Sequence, residues 1–381
     1  MYCPAHAQGR CRSCTLIEQP YERQLADKQA HCAALLAPFG DFPWLPPAQS
    51  APQGFRNKAK MGVAGSVDAP VLGVLSPQGP AHDLSDCPLY PEALARHFPA
   101  LREFITLARL TPYDLSTRRG ELKYLLLTLC EQSGRLMLRF VLRSTEALPR
   151  LRKHLPQLLC AIPELTLVSA NLQPEHKAVL EGEQEIHLYG EESLPMQLGE
   201  ITLHLRPKSF FQTHSTLARE LYLTARAWVG ELAPRGLWDL FCGVGGFALH
   251  CAREVQGPVT GIEISAEAIA SAQRSATEGG LSGLHFRALD ATDFARGGAD
   301  VPELVLVNPP RRGIGDALCD FLAASPARWV LYSSCNPETL ARDIRRMRVF
   351  TPRKARLFDL FPHTGHCEVL VLLERAARDI R

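Results

Sequence analysis

From Gly236 to Arg346 short apolar strands alternate with amphipathic helical stretches, and no other feature of the chain restricts its fold as strongly. Strands are predicted at Gly236–Phe241, Val259–Ile264, Leu284–Leu289, Leu304–Val307 and Trp329–Ser334. Helices are predicted between them, at Phe247–Glu254, Ala266–Thr277, Ala317–Leu322 and Glu338–Arg346. Strictly alternating elements pack as a doubly wound, mostly parallel α/β sheet. The last apolar strand, Glu368–Leu373, follows Leu357–Phe361 too closely for a crossover helix, so those two segments are expected to pair antiparallel.

The region before this sheet has a different grammar. Helical character at Ile17–Leu36 ends in the proline-rich P-W-L-P-P-A. From Gly54 to about Leu205 come strands such as Tyr124–Cys130, Leu136–Leu142, Leu165–Asn171 and Ile201–Leu205, with a helix at Glu146–Leu159. We therefore expect an α+β domain over 1–205 and the parallel-sheet domain over 206–381, the latter opening with a helix that aligns Leu217, Leu221, Ala225, Trp228 and Leu232. With 381 residues, 46% of them hydrophobic, both domains have enough apolar material for a core.

A formal net charge of +2 means that a polyanion has to be held by local basic stretches. Candidates are Arg56/Lys58/Lys60, Arg118/Arg119/Lys123 and the run from Arg342 to Arg356, against the alternative that each is a solvated face. The first residues, M-Y-C-P-A-H, lack the apolar core of a signal peptide, and no apolar run reaches the roughly 18 residues of a membrane helix. A cytoplasmic protein with reduced or metal-bound thiols is expected, with no membrane partner and no DNA.

D-L-F-C-G-V-G-G-F at Asp239–Phe247 runs from strand into helix. Gly243, Gly245 and Gly246 there remove side chains that would keep a ligand from the backbone. Glu263 follows Gly243 by twenty residues, at the end of the next strand, where a carboxylate can accept both hydroxyls of a ribose. The turn is not the G-x-G-x-x-G that a pyrophosphate needs, so S-adenosylmethionine suits it better than NAD. Asp290 is placed near an adenine or, alternatively, caps the next turn. Asn308 lies at the carboxyl end of its strand, where such sheets bind ligands. Arg311, rather than an aromatic residue, follows Asn308-Pro-Pro, which disfavours transfer to an exocyclic amine.

Cys335, in W-V-L-Y-S-S-C-N-P-E, ends a buried strand, and the N-P-E helix entry behind it is expected to lower the thiol pKa. A thiolate beside a nucleotide site suits attack at C6 of uracil. The addition makes C5 nucleophilic enough to accept a methyl group, after which a base removes the C5 proton. Glu368 is the candidate base, with His363 and His366 as rivals, and Cys367 reads as a core residue. A cytosine-C5 enzyme also uses a cysteine, but typically in a P-C context rather than S-S-C-N-P.

Six ordered segments resemble the RNA uracil-C5 methyltransferase family. They are P-K-S-F-F-Q-T at Pro207–Thr213, D-L-F-C-G-V-G-G-F, G-I-E at Gly261–Glu263, N-P-P-R-R-G at Asn308–Gly313, S-S-C-N-P at Ser333–Pro337 and H-C-E-V-L at His366–Leu370. The resemblance implies a Rossmann-like class I methyltransferase sheet. It further implies that Gln212, the residues around Phe241, Glu263 and Asn308 contact S-adenosylmethionine, that Cys335 is the nucleophile and that Glu368 is the base. The sequence departs from the family pattern at Asn308, where many relatives carry Asp, and at His214, where Asn is commoner.

Cys3, Cys11 and Cys14, with Cys87 far downstream, offer four soft ligands for iron–sulfur or zinc, and the spacing alone does not choose. The resemblance implies a [4Fe–4S] cluster. It also points to the branch of the family that modifies one uridine of 23S ribosomal RNA, because the transfer-RNA branch lacks these cysteines and another branch begins with an extra β-barrel. The alternatives are the same chemistry on another ribosomal or transfer RNA uridine, and a noncatalytic iron–sulfur RNA-binding protein. A base inside a helix is inaccessible to such chemistry, so the target is expected to be flipped out or in a loop. Phe55 with Arg56 and Lys58, and Arg118, Arg119 and Lys123, are expected to hold RNA. Phe210 and Phe211, which flank the cofactor motif, read equally as aromatic residues of the RNA entrance or as core residues.

Overall fold

A computed structural model describes residues 1–74, 81–177, 179–297 and 300–376. The chain divides into two compact units, Met1–Cys14 with Ala51–Met196, and Thr15–Ser50 with Gln197–Arg381. The sequence placed 1–205 together. In the structure the helix Tyr21–Leu36 instead buries Leu25, Cys32 and Leu36 in the core of the second unit.

The first unit is built on a seven-stranded sheet. Its strands are β1 (Lys58–Gly65), β2 (Pro70–Val74), β3 (His82–Asp83), β4 (Leu122–Leu129), β5 (Leu136–Leu142), β6 (Leu165–Leu172) and β7 (Gln184–Gly190), in the order β3-β2-β1-β4-β5-β6-β7. Neighbours are antiparallel except β5 and β6, whose parallel pairing requires the crossover helix Leu148–Ala161. Alternate residues Leu125, Leu127 and Leu129 of β4 and Leu136, Leu138 and Phe140 of β5 pack in one core with Leu101, Phe104 and Ile105 of the helix Phe98–Leu107. A two-stranded hairpin follows, β8 (Leu194–Leu198) and β9 (Ile201–Leu205).

The second unit contains β10 (Leu237–Leu240), β11 (Val259–Glu263), β12 (Leu284–Ala288), β13 (Leu304–Val307), β14 (Trp329–Ser334), β15 (Phe350–Phe358) and β16 (Glu368–Arg375), in the order β12-β11-β10-β13-β14-β16-β15. β10 through β14 are parallel, and the order turns back between β11-β10 and β13, the place where open α/β sheets bind ligands. β15 and β16 pair antiparallel, Phe358 opposite Glu368. The penultimate strand ends at Phe358 rather than Phe361, because Asp359 and Phe361 bond to Lys28 instead of continuing the ladder. Residues 43–48 run beside β15, where Leu45 and Ala48 donate their N–H groups to Ala355 and Leu357. Among the described residues no helix is long and apolar enough to cross a membrane.

Candidate active site

The carboxyl ends of β10 to β14 open on one cavity of about 600 Å³, lined in turn by Phe241, Glu263, Asp290, Asn308 and Cys335, and also by Gln212, Gly243 and Glu368. Every residue predicted to touch the methyl donor, the nucleophile and the base therefore lies on one wall system. His363 and His366 do not line it.

Backbone geometry shapes the floor. Phe241 has a φ of 65° and Gly243 of 53°, so the chain turns sharply as it leaves β10. A Cβ on Gly246 would lie 2.5 Å from Cζ of Tyr222, which is buried edge-on to Phe247 and stacked on His250. Glycine is required there by close packing. Asp239 accepts the N–H of Ala248 at 2.9 Å across the turn, and full burial pushes its carboxyl up to about 7. Glu263 accepts the N–H of Gly243 at 3.2 Å and of Ser265 at 3.0 Å, which fixes a carboxylate at the cavity wall where vicinal hydroxyls are its natural donors. Asp290 bears on both the cavity and the next helix. It lines the cavity, and its Oδ1 caps the helix Ala291–Arg296 through Thr292 and Asp293.

Phe210, Ile264 and Leu289 line the same cavity and are exposed, Phe210 by 77%. Phe210 is thus no core residue. His214 also gains a role: its Nδ1 accepts from the N–H of Leu217 as the N-cap of the helix Ser215–Leu232. The neutral ring must then carry its proton on Nε2, which lies 2.6 Å from Ser50 Oγ.

Cys335 follows β14 directly, and Asn336 caps the next helix by accepting the N–H groups of Glu338 and Thr339. The thiol is half-buried. Its pKa is raised, first by burial and then by the Glu368 carboxylate, with Arg311 opposing. This corrects the expectation of a thiol acidified by its helix entry, since desolvation and the Glu368 carboxylate outweigh the local field and Arg311. Glu368 opens β16 beside the end of β14, is 1% exposed and accepts the hydroxyl proton of Ser333. Burial pushes its carboxyl up to about 7, against the Ser333 hydrogen bond. Ser333 was not picked out from sequence, although the two-residue period of a strand places it on the same face as Cys335. Tyr222 left no such signal.

The loop carrying Asn308 and Arg311 is tied to the helix that follows Cys335. Asn336 and Thr339 each donate to the carbonyl of Arg311 at 3.1 Å, and Arg342 donates to that of Arg312 at 2.7 Å. Buried Asp343 accepts from Tyr332 Oη and from the N–H of Ile314. Of the rival bases, His363 is buried against Gln24, and His366 meets Arg311 at 3.4 Å. Cys367 is a core residue, its sulfur 3.7 Å from that of Cys32.

In the first unit Cys3, Cys11, Cys14 and Cys87 line one cavity of about 180 Å³ with Arg56 and Tyr90. Burial and the neighbouring thiols push Cys14 up to about 11, and Cys87 also reaches about 11, chiefly by burial. No three His, Cys, Asp or Glu side chains among the described residues converge on a single metal ion.

The basic segments differ in availability. Arg118, Arg119 and Lys60 are exposed, whereas Phe55 is buried and Lys123 is buried on Gln173 and the Glu175 carbonyl. In the 342–356 run, Arg346, Arg353, Lys354 and Arg356 are paired with Asp320, Glu374, Glu231 and Glu220, so this run is largely neutralised within the fold.

The family model of tRNA (uracil-5-)-methyltransferases matches residues 301–376, and a methyltransferase-domain model matches 237–319. The chain is 53% identical to the 23S rRNA (uracil(747)-C(5))-methyltransferase RlmC of Pectobacterium atrosepticum, over 99% of this chain and 100% of that protein. It is equally 53% identical to the Escherichia coli RlmC, over 98% and 99%. The crystal structure of Pyrococcus abyssi tRNA (uracil-54, C5)-methyltransferase in complex with S-adenosyl-L-homocysteine superposes with a TM-score of 0.79 at 25% identity, covering 94% of this chain and 85% of that one. On its sequence likeness, which spans nearly the full length of both partners, the chain belongs to the RlmC family of 23S rRNA (uracil-C5)-methyltransferases.

Proposed function

We propose that the protein transfers a methyl group from S-adenosylmethionine to C5 of a uridine in 23S rRNA, with Cys335 as nucleophile and Glu368 as base. The observation that carries this reading is the placement of Cys335 and Glu368 in the cavity that also holds Gln212, Phe241, Gly243, Glu263, Asp290 and Asn308. The cavity suits the donor. It is of ligand size, offers the Glu263 carboxylate to a ribose and exposed Ile264 and Leu289 to a flat ring, and has no phosphate cradle. When bound, S-adenosylmethionine supplies the electrophilic methyl group.

The residues of the chain do the rest. Once deprotonated, the Cys335 sulfur forms a bond to C6, and the electron pair released toward C5 takes up the methyl group. The Glu368 carboxylate then removes the C5 proton, the ring double bond reforms and the carbon–sulfur bond breaks, returning the thiolate. A base with its pKa near 7 is matched to this task at neutral pH. Arg311, whose charge favours the thiolate, stands at the same opening. The target uridine has to leave its stack to reach the cavity.

Cys3, Cys11, Cys14 and Cys87 are read as ligands of a [4Fe–4S] cluster. A single zinc ion would need the thiolates gathered about 2.3 Å from one point. A cluster instead takes each thiolate on its own iron, and the four thiols stand around one cavity. Its role is to tie residues 3–14 to Cys87, and no step of the methyl transfer needs it. A ribosomal RNA substrate places the reaction in the cytoplasm.

The test is covalent trapping. With S-adenosylmethionine and a 23S rRNA fragment carrying 5-fluorouridine, the protein is expected to form an adduct stable to denaturation, because fluorine at C5 cannot be abstracted as a proton. Cys335→Ala is expected to form none. The absence of any adduct, or its retention in Cys335→Ala, would refute the mechanism. Equal methylation of transfer RNA would refute the substrate.

A further inference from the structure

We propose that the helix Tyr21–Leu36 sets the geometry of the reaction cavity, with Lys28 and Gln24 as positioning residues for Phe361 and Glu368. The inference rests on the reading of Glu368 as the base and adds a determinant outside the methyltransferase sheet itself.

Two polar side chains on this helix are almost fully buried, Gln24 at 0% and Lys28 at 5% exposure, where a helix packed only for stability would present apolar groups. Both face the connection between β15 and β16. Lys28 Nζ donates to Asp359 Oδ1 at 2.6 Å and to the carbonyl of Phe361 at 3.1 Å. Gln24 Oε1 accepts the N–H of His363 at 2.9 Å, and its Nε2 donates to the carbonyls of Leu16 and Gln19 and lies 3.3 Å from His363 Nδ1. Leu16 in turn donates its N–H to the carbonyl of His363.

These bonds hold an unusual path. His363 has a φ of 64°, a region that residues other than glycine seldom occupy and keep only when their surroundings over-determine it. The path leads straight into the site. Phe361 lines the cavity with Cys335 and Glu368, and its ring stands edge-on to His366, whose Nδ1 meets Arg311. Arg311 is the cation that acts on the Cys335 thiol. A shift of the Phe361 carbonyl therefore reaches the cavity wall, the base and the charge beside the nucleophile together.

The buried pair need not exist for stability. Replacing a buried ion pair by apolar side chains of similar volume is often neutral or stabilising, so what Lys28 and Asp359 contribute is one defined conformation of the loop. The apolar residues Leu25, Cys32 and Leu36 already anchor the helix in the core.

The test uses the full-length protein with Lys28 and Asp359 replaced together, Lys28→Met with Asp359→Leu, which leaves no charge unpaired. We expect kcat for uridine methylation to fall about 100-fold while the Kd for S-adenosylhomocysteine stays within about twofold of the parent. Lys28→Arg, which keeps both donors, should restore most of kcat. A folded double variant with parental kcat overturns the proposal, as does loss of kcat and S-adenosylhomocysteine binding in parallel, which marks a merely structural contact. Should the double variant not fold, Gln24→Leu, which buries no unpaired charge, carries the same test. Parental protein is trapped alongside on 5-fluorouridine RNA. Failure of the parent to form the adduct refutes the covalent mechanism on which the base assignment depends, and parental turnover of Glu368→Gln refutes that assignment itself, whereas a normal parent with an equally fast double variant refutes only the positioning role.

Discussion

Replacing Glu368 by Gln should make the protein more stable and, at the same time, nearly inactive. The carboxyl is fully buried, and its pKa is about 7 against an ordinary 4.5. A difference of roughly 2.5 units, at 1.36 kcal/mol each, corresponds to about 3 kcal/mol by which folding disfavours the ionised form. The sign follows from the two pKa values. Below about pH 4.5 the group is protonated in both states and the burden vanishes; above about pH 7 it is ionised in both and the burden is complete. Glutamine never ionises and still offers an oxygen to the Ser333 hydroxyl. Urea unfolding should therefore show Glu368→Gln to be more stable than the parent by up to about 3 kcal/mol at pH 8, and by less than about 1 kcal/mol at pH 5. Steady-state methylation should fall by about 10²- to 10⁴-fold, the usual contribution of a positioned base. A single turnover should leave a methylated RNA adduct on Cys335. Parental turnover would show that this carboxyl is not the base, and equal stability of the two proteins at pH 8 would show that it is not the buried charge described above.

Two other perturbations read different parts of the molecule. Gly246→Ala places a methyl group against the Tyr222 ring, which is held by Phe247 and His250 and has little room to give. We expect S-adenosylhomocysteine affinity to drop at least about tenfold, the result of misplacing the turn by a fraction of an ångström; calorimetric titration with unchanged affinity would argue that the turn does not contact the donor. Cys14→Ser should remove iron from the first unit. After anaerobic reconstitution the parent is expected to hold about four irons per chain and the variant to lose them, and equal iron content in both would exclude Cys14 as a ligand.

The sheet was legible because each parallel strand is a short apolar run between amphipathic helices, and its ligand-facing residues are the ones that end those runs. Phe241, Glu263, Asp290, Asn308 and Cys335 are found together for that reason alone. What the sequence hid depends on partners distant along the chain. The acidity of Cys335 was misjudged because the fold half-buries its thiol and also sets Glu368 beside it on a neighbouring antiparallel strand. The 342–356 run looked basic because Glu220 and Glu231, which neutralise Arg356 and Lys354, lie on a helix more than a hundred residues earlier. His214 revealed its capping role only once Leu217 and Ser50 were in place. The break of the strand at Phe358 follows from Lys28, on a helix that no local pattern links to it.

The helix Tyr21–Leu36 leaves the ribosome long before its partners exist. Lys28 and Asp359 are separated by 331 residues, an interval of roughly 20 to 60 s at usual synthesis rates. Through that time an amphipathic segment with Leu25, Cys32 and Leu36 uncovered has nowhere native to dock. Nascent chains of this protein are therefore natural clients for a holdase, and a fragment begun at Gln197 would be born with an apolar scar where the absent helix belongs.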